Sequence, residues 1–255
     1  MNLRVDISYD GAPFHGFARQ LNVTTVQGDL EDALGRLLRG DVDTVGAGRT
    51  DAGVHALGQV VSVPDAPEDV DEIKLRDALN SMLAPSIAVT SVARVDDDFH
   101  ARFSALSRMY VYAILVSETP DPFLASTTLY HPEPLDLDAI NEAAGALVGQ
   151  RDFSSFGRVP DGASAERLLY ELKCWRSGNV IRMRARANAF IQQMVRSLVG
   201  TLVQVGEGRR RPDEMPAILE AKDRSAAGPV APPHGLCLVS VEYEQGWSKP
   251  FDPLK

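Results

Sequence analysis

The sequence predicts an α+β protein made of two tandem ferredoxin-like βαββαβ halves. Short runs in which apolar and polar residues alternate predict strands, and longer runs with apolar residues every three or four positions predict helices. The order strand, helix, strand, strand, helix, strand then occurs twice along the chain. We therefore predict an N-terminal half over residues 1–104 and a C-terminal half over residues 105–255, a length that allows one large or two small domains.

The first strand and the first helix have the clearest signals in the N-terminal half. Apolar and polar residues alternate over Leu3–Tyr9, which is typical of a half-buried strand. The pair Thr24-Thr25 can cap a helix whose apolar residues keep helical spacing over Val26–Leu38, and Gly40 ends it. The other elements predicted in this half are strands at Val42–Val45, Gly58–Val63 and Ile87–Val95 and a helix at Asp71–Leu83.

The C-terminal half contains a hairpin signal. Ser177-Gly178-Asn179 separates two strand-like runs, and glycine next to asparagine favours the tight turn that joins antiparallel strands. The strands predicted in this half are Met109–Val116, Leu168–Arg176, Val180–Ala187 and Leu236–Tyr243, and the helices are Asp136–Val148, Phe190–Val205 and Asp213–Ala221.

Composition limits the compartment and the kind of partner. The formal net charge is -9, yet 21 of the 26 basic residues are arginine, which suits phosphate contact and stacking on bases better than lysine does. Two distant cysteines, Cys174 and Cys237, form neither a disulfide framework nor a metal knuckle. No run approaches the roughly 18 apolar residues of a membrane span. We expect a cytoplasmic protein without a membrane partner.

The densest run of reactive side chains is the segment 46–56. Its three glycines predict a loop, and between and beside them lie a carboxylate, a guanidinium, a hydroxyl and an imidazole. The spacing of Gly48 and Gly53 is that of a phosphate-binding loop, but Val54-His55 replaces the required Lys-Ser/Thr. A dinucleotide fingerprint is excluded because Asp51 stands at the third glycine position and a strand follows. In isolation, a lone aspartate in such a loop is more often a turn residue than a catalyst.

Residues 48–55 read G-R-T-D-A-G-V-H and closely resemble the signature of the TruA family of tRNA pseudouridine synthases. Further family-like motifs extend the resemblance from Tyr9 to Leu236. They are Y-D-G-x-x-F-x-G at 9–16, T-V-Q-G at 25–28, R-x-Y-x-Y at 108–112, G-x-x-D-F-x-S-F at 149–156, F-I-Q-Q-M-V-R at 190–196 and G-L at 235–236. The family motif has Tyr/His or His/His in many relatives where this chain has Gln192-Gln193.

The resemblance implies roles for individual side chains. Asp51 corresponds to the catalytic aspartate, Tyr110 to the active-site tyrosine, and Arg196 to the arginine that pairs with the aspartate and keeps it ionised. The resemblance also implies that Arg49 helps to extrude the uridine and takes its place. The residues expected to bind the substrate are Arg49, His55, Arg102, Arg108 and Phe190.

The implied activity is the isomerisation of uridine to pseudouridine at positions 38, 39 and 40, on the 3′ side of the tRNA anticodon stem-loop, in a flipped-out nucleotide. This reaction needs no redox partner, and the chain has no motif for a metal or a nucleotide cofactor. Asp51 can act by attack on the ribose C1′, by attack on the uracil C6, or by removal of a sugar proton. The resemblance also implies a homodimer, and a pseudouridine synthase fold with the two sheets joined, mixed but mainly antiparallel, around a central cleft.

Two other functions remain open at this point. A non-catalytic RNA-binding protein could keep the same fold, although the presence of Asp51, Arg49, Tyr110 and Arg196 together disfavours it. A nucleoside glycosidase would need a second acid beside Asp51, and none is evident. Two arginine groups, Arg182/Arg184/Arg186 and Arg209–Arg211, are either solvated or hold phosphates.

Overall fold

The structure is a computed structural model that describes residues 1–160 and 162–249. The predicted α+β class is confirmed. In chain order the strands are β1 (Asn2–Tyr9), β2 (Val45–Gly46), β3 (His55–Val63), β4 (Ile87–Val95), β5 (Ser107–Val116), β6 (Leu129–His131), β7 (Gly149–Asp152), β8 (Glu166–Ser177), β9 (Val180–Ala187), β10 (Leu236–Tyr243) and β11 (Gly246–Trp247). The helices are α1 (Val26–Leu38), α2 (Glu72–Leu83), α3 (Leu137–Leu147), α4 (Met194–Gly206) and α5 (Met215–Ala221).

The chain divides into two compact units. Unit 1 comprises Met1–Leu106 together with residues 237–249, and unit 2 comprises Ser107–Leu236. The division predicted between residues 104 and 105 lies two positions earlier than the change of unit in the structure. That prediction also kept the last strand in the C-terminal half, whereas the contacts of β10 group it with unit 1.

In unit 1 the strand order β4-β1-β3-β2 is that of a ferredoxin-like sheet. β1 pairs antiparallel with β3 and β4, and β2 pairs antiparallel with one end of β3. At the other end of β3, β10 adds in parallel, with Cys237 opposite His55. The alternation read from the sequence places Leu3, Val5 and Ile7 in the core, where none of them is exposed.

In unit 2 the strands β5, β9, β8 and β7 follow one another in antiparallel pairs. The predicted hairpin is confirmed, because Ser177 pairs with Val180 and Gly178 has a positive φ of 58°. Helix α3 packs on β8 and on α4. In the described part of the chain, no helix combines the length and the apolar character needed to cross a membrane.

The predicted strand at Val42–Val45 is wrong at its start, because β2 begins only at Val45. The backbone N–H of Thr44 donates to Glu31 Oε1 at 3.0 Å, and the Thr44 carbonyl accepts from Gln27 Nε2 at 2.8 Å. Two side chains of α1 therefore satisfy the backbone groups that a strand would have paired.

The predicted helix Phe190–Val205 is wrong at its start, because α4 begins at Met194. Gln193 has the left-handed conformation, with φ 64° and ψ 5°, which cannot continue into the preceding residues as a helix. The backbone of Gln192 instead forms a two-way bridge with Arg158. Phe190 therefore lies on a loop and not on the buried face of α4.

Candidate active site

The loop that carries Asp51 joins β2 to β3 and is held at several points along its backbone. Its beginning is fixed to β3, where Ala47 N–H donates to the Val60 carbonyl at 2.8 Å and Gln59 Nε2 donates to the Gly48 carbonyl at 2.7 Å. Val54 N–H donates to the Asp51 carbonyl at 3.1 Å and closes a turn that begins at Asp51. The Asp51 side chain is half-buried at the head of this turn.

A second segment, residues 9–17, supports the Asp51 loop from its other side. The Tyr9 hydroxyl and Thr50 Oγ1 form a buried hydrogen bond of 2.8 Å, and Phe17 N–H donates to the Thr50 carbonyl at 3.0 Å. A Cβ atom on Gly11 would lie 2.1 Å from the Val54 carbonyl oxygen, so only glycine allows this approach. The family-like motif at 9–16 therefore positions the Asp51 loop, a function that its residue types alone did not predict.

His55 begins β3 and binds the same supporting segment. Its Nδ1 accepts the Gly11 N–H at 3.1 Å and lies 3.1 Å from Asp10 Oδ1. An Nδ1 atom that accepts from a backbone N–H has no proton to give to the carboxylate, so the two contacts favour opposite tautomers. The His55 side chain is 12% exposed, and its contacts with Asp10 and Gly11 hold the supporting segment in place.

The two arginines predicted in unit 1 are both exposed. Arg49 precedes Asp51 by two residues in the same loop. Arg102 lies in the segment between β4 and β5, where its guanidinium is 5.5 Å from the centre of the Phe103 ring. Unit 1 therefore brings Asp51, Arg49 and His55 onto one loop and its end, with Arg102 on a separate segment.

In unit 2, Tyr110 and Phe190 are in contact. Tyr110 lies on β5 and is 7% exposed, and its ring meets the Phe190 ring edge-on with centroids 5.2 Å apart. Arg108, on the same strand, is buried and donates from Nη1 to the Asn188 carbonyl at 2.7 Å, close in sequence to Phe190. The strand and the loop that precedes α4 thus hold three of the predicted site residues together.

Arg196 lies in the first turn of α4 and is tied to the extended segment before β10. Its Nε donates to the Ala231 carbonyl at 2.7 Å, and the Ala231 N–H donates to the Arg196 carbonyl at 3.0 Å. The Tyr112 hydroxyl donates to the neighbouring Pro232 carbonyl at 2.9 Å. Burial raises the pKa of Tyr112 well above its ordinary value, and the charge of Arg196 partly opposes this shift, so the tyrosine stays a neutral donor.

Two motifs without reactive groups also have positional functions in unit 2. A Cβ atom on Gly235 would lie 2.6 Å from Cζ of Tyr112, so the terminal G-L motif leaves room for that ring. A Cβ atom on Gly157 would lie 2.5 Å from the Gln192 carbonyl oxygen, which fixes the segment after the 149–156 motif against the loop that carries Phe190. Gln192 and Gln193, which depart from the family pattern, supply a backbone bridge and a left-handed turn.

The two arginine groups differ in how far acidic neighbours neutralise them. Arg184 donates from Nε to Glu171 Oε1 at 3.0 Å, and the Arg186 guanidinium lies 4.8 Å from the centre of the Tyr170 ring. Arg182 has no acidic partner among residues 1–160 and 162–249. In the second group every arginine has an acidic partner. The pairs are Arg209 with Glu207, Arg210 with Glu214 and Arg211 with Asp213.

No metal site is visible among residues 1–160 and 162–249. Within the described residues, histidine, cysteine, aspartate and glutamate side chains do not gather in groups of three or more that could hold a metal ion. Cys174 and Cys237 are both free thiols.

Comparison with known proteins agrees with the motifs. The profile described as tRNA pseudouridine synthase matches residues 7–104 and 143–244. The tRNA pseudouridine synthase A of Cereibacter sphaeroides is 45% identical over 254 residues, which are 97% of this chain and 96% of that protein. The protein of the same name from Frankia casuarinae is 46% identical over 248 residues, 95% of this chain and 89% of that protein. The predicted fold, the predicted enzyme class and the resemblance to this family are confirmed. The chain therefore belongs to the tRNA pseudouridine synthase family.

Proposed function

We propose that this protein isomerises uridine to pseudouridine at positions 38, 39 and 40 of the tRNA anticodon stem-loop, with Asp51 as its catalytic residue. Family membership supports the reaction and the RNA class. The observation that carries the catalytic assignment is the fixed position of Asp51 at the head of a turn that two other segments hold. A turn that served only to connect two strands would not need this support.

The reaction cuts the N-glycosidic bond of uridine, turns the base and joins its carbon 5 to the ribose. Asp51 supplies a carboxylate that can act on C1′, on C6 or on a sugar proton. Arg49, exposed in the same loop, assists the extrusion of the uridine and fills its place. Arg196 is the second charged residue of the proposed reaction, and its bond to Ala231 limits the orientations open to its guanidinium.

Tyr110 is the proposed stacking partner of the flipped uracil. Its edge-on contact with Phe190 and its position on β5 give the ring one orientation, which is what a stacking platform requires. The further substrate contacts that we propose are His55, Arg102, Arg108 and Phe190. The proposal also includes a homodimer in the cytoplasm, where the free thiols of Cys174 and Cys237 stay reduced.

The test compares Asp51→Asn with Asp43→Asn, the same chemical change at an exposed position of the same unit. Release of tritium from carbon 5 of labelled uridine reports the reaction, because this hydrogen is lost when carbon 5 joins the ribose. Asp51→Asn should release tritium about 10⁴-fold or more slowly while it still folds and binds tRNA, and Asp43→Asn should match the unmodified protein. Near-normal release by a folded Asp51→Asn protein would refute the catalytic role.

The site preference needs separate substrates. Three tRNA transcripts that each keep one labelled uridine, at position 38, 39 or 40, should each release tritium. A fourth transcript with labelled uridines only outside these positions should release none. Release from the fourth transcript at a comparable rate would contradict the proposed target, and a protein that binds tRNA without releasing tritium from any transcript would be a binding protein.

A further inference from the structure

The segment between β4 and β5 presents an exposed aromatic ring that the proposed reaction does not use. Phe103 is 77% exposed, although phenylalanine side chains are usually buried in the core. Its two neighbours are polar side chains, an imidazole and a guanidinium, and not the apolar groups that usually surround a phenylalanine. The His100 ring lies 4.4 Å away between centroids at an angle of 31°, and the Arg102 guanidinium lies 5.5 Å from the Phe103 centroid.

The backbone below this ring is rigid. His100 Nδ1 accepts the N–H groups of Arg102 and Phe103, both at 3.2 Å, so a single imidazole fixes the turn that carries the phenylalanine. His100 N–H donates to Ser104 Oγ at 3.0 Å, and Ser104 N–H donates back to the His100 carbonyl at 2.9 Å. Phe103 is therefore held in place without being buried.

The turn is also anchored to the core of unit 1. Ala101 is completely buried, its N–H donates to Ser62 Oγ at 3.3 Å, and its carbonyl accepts from the Tyr243 hydroxyl at 2.7 Å. The ring of Phe99 packs on the same tyrosine with centroids 5.3 Å apart. Because strands β3 and β10 both hold the turn, the exposed ring keeps its position relative to the sheet.

We propose that the exposed part of the Phe103 ring is a stacking platform for an unpaired base of the RNA substrate, and that Arg102, whose guanidinium lies over the same ring, contacts the backbone of that nucleotide. A rigid, exposed aromatic ring next to a guanidinium is the arrangement by which proteins hold single-stranded bases. The three carboxylates of Asp96, Asp97 and Asp98 are exposed on the adjoining part of the segment. Phosphate is disfavoured close to these carboxylates, whereas Arg102 offers it a cation.

This inference rests on the proposed function only for the identity of the RNA, and binding can be measured apart from turnover. The probe is unmodified tRNA, and the variants are Phe103→Ala, Phe103→Leu and Phe103→Trp in the full chain. Ile73→Ala is the matched control, because Ile73 is 64% exposed on α2 and has no aromatic ring. Dissociation constants are measured over a series of salt concentrations, with sedimentation of each variant in parallel.

Phe103→Ala and Phe103→Leu should both weaken tRNA binding, by about 5- to 150-fold, because leucine restores the apolar surface but offers no π face. Phe103→Trp should bind at least as tightly as the unmodified protein, and Ile73→Ala should stay within about twofold. The slope of log Kd against log salt should be unchanged in the Phe103 variants, because stacking displaces no counterions.

Three results would overturn the inference. They are a Kd for Phe103→Ala within about twofold of the unmodified protein, full binding by Phe103→Leu, and a change in sedimenting mass for Phe103→Ala, which would assign the ring to a protein contact. The unmodified protein reports on the proposed function by itself. If the unmodified protein does not bind tRNA, both proposals are refuted. If it binds tRNA without releasing tritium, the proposed function is refuted, and the Phe103 variants still test the stacking proposal.

Discussion

Gly11 offers a direct test of whether the supporting segment determines the position of Asp51. In a Gly11→Ala protein, the new Cβ would start 2.1 Å from the Val54 carbonyl oxygen and 2.5 Å from its carbon. Since real Cβ contacts are essentially never closer than 3.0 Å, the two backbones must separate by about 1 Å. Val54 N–H is bonded to the Asp51 carbonyl, so the displacement is transmitted to the turn that carries the carboxylate.

The expected effect is larger on the rate than on binding. A misplacement of about 1 Å at a reacting group costs roughly 10²-fold in rate, and overpacking at a backbone contact costs about 1–3 kcal/mol of stability. We therefore expect kcat for tritium release at saturating tRNA to fall about 100-fold and the Kd for tRNA to change only a few-fold. A thermal melt should show a folded protein with a lower Tm.

Gly40→Ala is the matched control, because a Cβ atom on Gly40 would meet nothing within 4 Å. It should leave kcat and Tm unchanged. If Gly11→Ala does not fold, Tyr9→Phe tests the same support with no added atoms, since it removes the 2.8 Å hydrogen bond to Thr50 and should cost about 1–1.5 kcal/mol of stability together with a smaller loss of kcat. A folded Gly11→Ala protein whose kcat is within about threefold of the unmodified enzyme would refute this reasoning.

Four further outcomes are expected. Gly145→Ala, at an exposed position of α3 with nothing within 4 Å of the new Cβ, should raise the unfolding free energy by about 0.5–1 kcal/mol in a denaturant titration, and a decrease would contradict the helix-propensity argument. Arg182→Ala should reduce the slope of log Kd for tRNA against log salt by about one unit. Arg184→Ala should reduce it by less, because the Arg184 guanidinium is already paired with Glu171. Equal slopes for the two variants would show that this ion pair does not affect phosphate binding. Burial raises the pKa of the Cys174 thiol to about 12, so at pH 8 the thiolate is scarce and native Cys174 should react with a thiol reagent far more slowly than in the unfolded chain, as followed by mass spectrometry. With a formal charge of -9, the protein should melt at a higher temperature in molar KCl, because salt screens the repulsion between its surface carboxylates, and a flat or falling Tm would contradict this expectation.

Local sequence signals predicted the elements whose hydrogen bonds are local. The Thr25 side chain caps α1 by accepting the Gly28 N–H, and Ser177 and Val180 pair across a tight turn, as their residue types indicate. The loop nature of the Asp51 segment followed in the same way from its glycines. The other proposed site residues came from the resemblance to the family, because spacing alone could not separate them from ordinary surface or core side chains.

Elements that depend on distant partners could not be predicted in this way. Glu31 looks like an ordinary surface charge of α1, yet it is 7% exposed and binds the backbone of Thr44, which shortens β2. Glutamine rarely adopts a left-handed conformation, so nothing in the sequence predicted that Gln193 would delay the start of α4. The approach of Gly11 to Val54 joins residues far apart in the chain and has no local signal.

The motif residues in each unit therefore divide into the proposed reactive side chains and the residues that hold them in position. In unit 1, Gly11 lets a distant backbone approach closer than any side chain would allow, and this approach fixes the turn that carries Asp51. In unit 2, Gly235 leaves room for the ring of Tyr112, whose hydroxyl holds the same extended segment as Arg196. Backbone contacts have fewer soft torsions than hydrogen bonds between long side chains, so they hold a carboxylate or guanidinium more precisely. Substitution of these glycines should consequently impair turnover before it impairs tRNA binding, although none of them has a group that can touch the substrate.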